Sequence, residues 1–281
     1  MQPSMPPPNH HPWVSPREIE QHDWLIENAK DGSLLVLVPG GKFLAGSSGS
    51  DEGGGEPFEV DIPAFYLGLT CVTNRQYARF LSETVPSSTD LQKWLLLDSD
   101  CYVRKTGAER FEAHGGREEH PVVQVSWFGA EAYCRWAELH LPSELQWEKG
   151  ARYRDGRRYP WGRDWSESKC RNKKNKSNGQ TASVWEYPAG TSEWGGYQLS
   201  GNVWEWCADW YDPDAYNRYR TGDLKPPSQD TRRVVRGGSW YDVSPDSFTT
   251  SLRNDRDPVY RDIYTGFRCM CETVRPPRAG G

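Results

Sequence analysis

No run of this sequence approaches the ~20 apolar residues that cross a bilayer as a helix. The opening MQPSMPPPNHHPW has neither a basic stretch nor an apolar one, so it does not read as a secretory signal. The seven cysteines, Cys71, Cys101, Cys134, Cys170, Cys207, Cys269 and Cys271, show no CxxC spacing and are odd in number. Without an export signal, reduced thiols and a cytoplasmic protein are the expectation. Cys269 and Cys271 alternate along an expected strand and read as two half-buried structural thiols on one side. Apolar residues make up only 36% of the chain, and there is no internal repeat. His-x3-His, Ser-His-Asp and Gly-rich phosphate patterns are absent as well. A strongly basic surface is also missing: the net charge is −5 with both signs mixed, which argues against a nucleic-acid partner. The one basic cluster, KCRNKKNK at Lys169–Lys176, reads as a solvated loop.

What the chain has instead is aromatic mass. Its 14 Trp and 14 Tyr can bury large areas each, while 27 Gly and 21 Pro predict abundant loops. The length suits one large domain or two small ones. Residues 1–16 read as a disordered, Pro-rich tail. Residues 17–33 include REIEQHDWLIENAKD, which reads as a short amphipathic helix. SLLVLVPGGKFLAGSS predicts two strands around a Pro-Gly-Gly turn, and FEVDIPAFYLGLTCVT alternates like strands. Thr73 or Asn74 caps a helix over NRQYARFLSETV, and VSWFGAEAYCRWAELH is the clearest helix. LPSELQWEKGAR starts another, with Ser143 as cap and Gln146 at the reciprocal position. Beyond residue 152 short strands and long loops dominate, and loops that long are usually functional.

The motifs LVLVPGGKFLAGS, CVTNRQYARFL, HPVVQVSWFGAEAYCRWA, LPSELQWEKGARYRDGRRYPWG, GNVWEWCADWY and RVVRGGSW…TGFRC occur in this order. Together they resemble the formylglycine-generating-enzyme domain, a branch of the C-type-lectin-like fold, over roughly residues 34–273. The resemblance implies an α+β domain across 34–281 with small antiparallel sheets, two main helices and extensive loops. In GNVWEW, Trp204 and Trp206 fall on one side of an extended segment and Glu205 on the other. Gly237 and Gly238 suit a positive-φ turn. Arg268 is expected to pair with a buried acid.

The enzymes of that family are similar in using two cysteines just after the Gly-Gly-Ser anchor. Here those positions fall on Asp242 and about Ser247. Neither supplies the thiolate that copper and the oxidation require, so the expectation is a protein without that activity, an oxidase or other family enzyme being the alternative. A second branch resembles this domain joined to an iron-binding bundle with three histidines. The tail carrying His10 and His11 is too short for that bundle, and His22, His114, His120 and His140 form no matching pattern.

The segment Tyr241–Thr265, YDVSPDSFTTSLRNDRDPVYRDIYT, contains no Lys, Glu, Gln, Met or Trp, which together make up about a fifth of the chain. These are the residues an asparagine codon cannot reach when its two adenines mutate freely. Diversity-generating retroelements impose that restriction, and their variable proteins resemble this domain, with Gly-Gly-Ser-Trp before the variable region and Gly-Phe-Arg after it. The resemblance places the variable region at about 233–270. It marks as diversified and ligand-binding Tyr241, Asp242, Val243, Ser244, Asp246, Ser247, Leu252, Asn254, Asp255, Arg256, Asp257, Tyr260, Asp262, Ile263 and Tyr264. Pro245, Arg253, Pro258 and Arg261 match fixed spacers. The implied role is recognition of a ligand, a protein by preference, with the mixture of Tyr, Asp, Ser and Asn that antibody loops also use. No cofactor is required by this reading. A structural calcium is the secondary expectation, on Gln198, Gly201, Val203 and Glu205, with Gln198 standing where the family has Asn or Asp.

Overall fold

In the computed structural model, residues 24–47, 56–176, 179–227 and 231–273 are described. The expected tail, residues 17–23 of the expected first helix, and His10, His11 and His22 lie outside them. Where the sequence predicts the rest of that helix, Leu25–Glu27 is a strand, β1. It pairs antiparallel with β2 (Leu34–Val38), setting Leu25 opposite Val36 and Glu27 opposite Leu34. A sheet partner close by in sequence overrides the helical pattern.

The two strands flanking Pro39–Gly40 belong to different sheets. β2 continues into β5 (Phe65–Gly68) and then β12 (Met270–Glu272), so the first and last described strands share one sheet and form its opposite edges. β3 (Gly41–Ala45) forms a separate ribbon with β4 (Phe58–Ile62), whose burial alternates strictly. A second ribbon joins β6 (Val103–Lys105) to β7 (Phe111–Ala113).

Among the described residues five α-helices pack around these sheets. α1 (Asn74–Thr84) and α4 (Glu144–Arg152) each begin with a complete capping box, Thr73 with Gln76 and Ser143 with Gln146. Two otherwise orphaned backbone donors are satisfied at each start. Ser87 caps α2 (Ser88–Trp94) and Ser126 caps α3 (Trp127–Trp136). α5 (Ala215–Arg220) is short and carries the buried Tyr216 and Tyr219. Between α1 and α3, Tyr77 and Tyr133 stack with centroids 5.8 Å apart, and Phe267 meets both edge-on.

The sheet that carries the candidate site has the order β10–β9–β8–β11. Its strands are β8 (Trp204–Trp210), β9 (Arg233–Arg236), β10 (Asn254–Arg256) and β11 (Thr265–Gly266). β8 and β11 run parallel, so this sheet is mixed rather than purely antiparallel. Trp204 and Trp206 enter one core cluster, while Glu205 points the other way toward Trp147 of α4.

Candidate ligand-binding surface

The segment after β9 is held by three buried ion pairs. Arg236, at the end of β9, reaches Glu148 at 2.9 Å and also donates to the carbonyl oxygens of Thr250 and Ser251. Arg253, in the middle of the segment, binds Glu144 through two nitrogens at 2.7 and 2.9 Å. Arg268, just beyond its end, binds Glu205 at 2.6 and 2.7 Å. All six side chains are buried. Burial alone would raise the Glu148 carboxyl, but Arg236 and Arg152 beside it hold it below the usual carboxylate range. Helix α4 supplies two of the three acids one turn apart. On sequence alone they look like an ordinary exposed Glu/Arg helix face, and the reading above missed them.

Asp209 lies next to this set and has no cation of its own among its hydrogen bonds; its Oδ2 accepts from the Glu144 N–H at 2.7 Å. Burial, and then the like charge of Glu144, pushes its carboxyl up to about 7. The folded chain therefore holds this proton more tightly than the unfolded one, whose Asp titrates near ~4. Stability from this group is fully present below ~4 and is lost as pH rises through about 7. Asp209→Asn keeps the acceptor and removes the titration. Its melting temperature should exceed that of the unaltered chain at pH 8 and match it at pH 4. A constant difference across that range would show that Asp209 does not titrate there.

After β9 the chain turns through Gly237 and Gly238, at φ +99° and +75°. A Cβ on Gly238 would stand 2.5 Å from the Ser247 carbonyl oxygen, so glycine is required there for close approach as well as for conformation. Asp242 caps this turn: its carboxylate accepts from the Ser239 N–H at 2.8 Å and from the Ser239 hydroxyl at 2.7 Å. Trp240 is 4% exposed, and its indole N–H donates to the Ile263 carbonyl oxygen at 2.9 Å. Tyr264 lies 5.2 Å from Trp240 and 5.1 Å from Tyr241, so both ends of the segment meet in one aromatic cluster.

Between these ends burial separates two kinds of residue. None of the fifteen expected ligand positions is buried. Tyr241, Val243, Ser244, Asp246, Asp257 and Tyr260 are exposed; Asp242, Ser247, Leu252, Asn254, Asp255, Arg256, Asp262, Ile263 and Tyr264 are half-buried. Phe248, Thr249, Thr250, Ser251, Arg253 and Pro258, which interleave with them, are all buried. The spacers Pro245 and Arg261 are half-buried, and Val259, absent from the expected set, is 51% exposed. Asn254–Arg256 form one edge of the four-stranded sheet and Thr265–Gly266 the other, three strand spacings or ~14 Å apart. Several of the fifteen also serve local structure. Besides Asp242, Ser244 caps the 3-10 turn Pro245–Phe248 and Leu252 packs against the core.

The calcium expectation does not fit these residues. The Glu205 carboxylate is saturated by Arg268, by the Trp147 indole N–H at 2.8 Å and by the Cys71 thiol at 3.3 Å. The Gln198 amide donates to the carbonyl oxygens of Ser183 and Glu186, and its oxygen accepts from Asn202. The Gly201 oxygen accepts from the Val203 N–H at 2.9 Å. The acid that was to bind calcium is the acid that Arg268 was expected to find. A hard divalent cation needs several free oxygens, and the only carboxylate of the set is neutralised.

No pair of thiols meets at Asp242 and Ser247. Cys71, Cys207 and Cys269 are buried, and burial pushes all three thiols up; Cys101 and Cys170 are pushed to about 12. Cys134 and Cys269 stand with sulfurs 3.5 Å apart, and Cys269 is fully buried rather than half-buried, while Cys271 is half-buried as expected. Among the described residues no three His, Cys, Asp or Glu side chains converge as a metal site. Burial and then Arg117 push His120 down to about 4. No helix among the described residues is long and apolar enough to cross a membrane.

This arrangement is the C-type-lectin-like fold of the formylglycine-generating type, with a held loop surface after the Gly-Gly-Ser turn. Residues 23–273 match the sulfatase-modifying factor enzyme 1-like domain, and the chain belongs to that family. It is 35% identical over 243 residues to serine/threonine-protein kinase Pkn1 of Chlamydia trachomatis, covering 84% of this chain and 38% of the kinase. It is 33% identical to hercynine oxygenase of Mycolicibacterium smegmatis, covering 83% of this chain and 60% of that protein. With the formylglycine-generating enzyme of Streptomyces coelicolor the identity is 32%, over 83% of this chain and 88% of the enzyme. The chain thus spans only about two fifths of the kinase it matches and three fifths of the oxygenase. Among solved structures it is similar to Treponema denticola variable protein 1, with TM-score 0.65 and 19% identity, covering 90% of this chain and 98% of that one.

Proposed function

We propose that this chain is a ligand-binding protein, with residues 241–264 as a variable recognition surface and the remainder as its fixed support. The observation that carries this reading is the separation by burial: none of the fifteen expected positions is buried and six are exposed, while Phe248, Thr249, Thr250, Ser251, Arg253 and Pro258 between them are buried. Of the eight large apolar side chains left exposed among the described residues, Tyr241, Val243, Val259 and Tyr260 lie in this one segment. Exposed apolar groups gathered on one surface mark an interaction site. Tyr offers stiff, amphipathic contact, and Asp and Ser offer adaptable hydrogen bonds; a protein ligand suits them. The unlinked buried thiols suit a reducing, cytoplasmic setting.

The family also contains enzymes, so the oxidase reading is the one to exclude. Incubation with copper and a cysteine-containing sulfatase peptide should leave the peptide unchanged by mass spectrometry; aldehyde above a no-protein control would restore the enzyme. The positive test is a displayed library randomised at the fifteen positions. It should yield specific binders to an arbitrary folded protein, with clones that still unfold cooperatively.

A further inference from the structure

The turn at 169–176, expected as a solvated loop, is internally built. Arg171 is buried, and its guanidinium donates to the carbonyl oxygens of Gln180, Asn175 and Lys176 at 2.9, 3.1 and 2.7 Å. The Asn172 and Asn175 amides donate to the carbonyl oxygens of Glu167 and Cys170. The Lys173 N–H donates to the Asp242 carbonyl oxygen at 3.1 Å, which ties the turn to the variable segment. This backbone carries the Lys173 ammonium to 4.0 Å over the Tyr241 ring and the Lys176 ammonium to 5.2 Å from the Trp240 ring.

Neither of these two ammonium groups reaches a described carboxylate, whereas the neighbouring Lys174 pairs with Glu167 at 3.5 Å. The two carboxylates in the adjoining stretch of the segment are engaged elsewhere, Asp242 by Ser239 and Asp246 by Arg158. Besides the fixed Arg253 with Glu144, two ion pairs link diversified positions to the frame, and in each the variable residue is an aspartate and the fixed residue an arginine, Arg158 with Asp246 and Arg232 with Asp255. Lysine is absent from the segment, so a lysine on this face comes from the fixed part and is present whatever the segment encodes.

We propose that the 169–176 turn is a fixed part of the ligand face, and that Lys173 and Lys176 make the protein select ligands that present carboxylates beside an apolar contact, that is, acidic segments of partner proteins. The proposal rests on the reading of 241–264 as the ligand face. The two cations lie over aromatic rings without a carboxylate partner among the described residues, so their field reaches outward. Such charges act mainly on encounter rate and partner choice.

The test is titration of N-acetyl-hexaglutamate amide into the isotope-labelled full chain, followed by amide chemical shifts. Shifts should concentrate at 170–176 and 239–242. Binding should weaken severalfold between ~50 and ~300 mM salt. It should weaken about tenfold in Lys173→Glu/Lys176→Glu; Lys173→Met/Lys176→Met, which removes charge without reversing it, should weaken it less. Both lysine pairs should melt like the parent. Absent shifts, shifts elsewhere, or binding indifferent to both lysine pairs overturn the proposal. Tighter binding of an oligothymidylate of equal charge overturns it in favour of nucleic acid. The displayed library separates the two readings: binders from the library without a hexaglutamate response remove the lysine turn alone, whereas a library that yields no binders removes the ligand face beneath it.

Discussion

Arg268→Met is expected to remove about 3–5 kcal/mol of stability, the usual cost of leaving one member of a buried ion pair unpaired. That is a large share of the ~5–15 kcal/mol by which domains are stable. The guanidinium donates to both Glu205 oxygens and also to the backbone carbonyls of Gly68, Leu69 and Tyr197, so it joins β5, the 197 loop and β8 at one point. Without it the Glu205 carboxylate keeps only the Trp147 indole and the Cys71 thiol as donors. Glu205→Gln alone should cost less, because the amide oxygen can still accept from Arg268. Combining Glu205→Gln with Arg268→Met should recover part of the loss, since no buried charge is then left unpaired; urea unfolding of the four proteins gives the coupling directly. Millimolar calcium should leave the melting temperature of the unaltered chain unchanged. A calcium-dependent rise, or a loss in Arg268→Met no larger than that of a surface change, would show that Glu205 has another partner.

That pair also shows where the sequence was legible. The pattern Gly-Phe-Arg pointed to an arginine seeking a buried acid, but its partner lies 63 residues away. Nothing local distinguishes Glu205 as an ion-pair acid from Glu205 as a calcium ligand, and the sequence expectation assigned it to calcium while the acid for Arg268 stayed unnamed. The capping box at Ser143 and the cap at Thr73, one of two candidates, were readable because their bonds close within three residues; the reciprocal Gln76 at Thr73 was not read. The pairing of β2 with β5 and of β5 with β12 was not, because it depends on contacts across most of the chain. Leu25–Glu27 failed as a helix because a sheet partner nearby outweighs a weak helical pattern. The segment proposed as a variable face stood out for a different reason. Its signal is an absence of residue types, which survives without any knowledge of the fold. Glu144 and Glu148, which hold it, were invisible because a buried Glu on a helix reads like an exposed one.

The contrast between the segment and its anchor gives the second large effect. Trp240→Ala is expected to cost about 3–5 kcal/mol through lost burial and the cavity left behind. The ring is 4% exposed, meets Tyr264 at 5.2 Å and ties residue 263 to the turn through its indole N–H. Changing Tyr241, Val243, Asp246, Asp257 and Tyr260 together to other codon-reachable residues should cost far less. All five are exposed, and such positions usually contribute no more than about 0.5 kcal/mol each. The one ion pair among them, Asp246 with Arg158, is itself exposed, a kind that contributes about 0–1 kcal/mol. Asp242 is left out of the set because it caps the Ser239 turn; Asp242→Ala should cost about as much as a lost helix cap, ~1 kcal/mol. Thermal unfolding of the three variants decides the matter, since a recognition surface on a fixed support separates stability from identity at the exposed positions. A five-fold variant that melts as far below the parent as Trp240→Ala would mean that the segment is a structural loop whose side chains the fold requires.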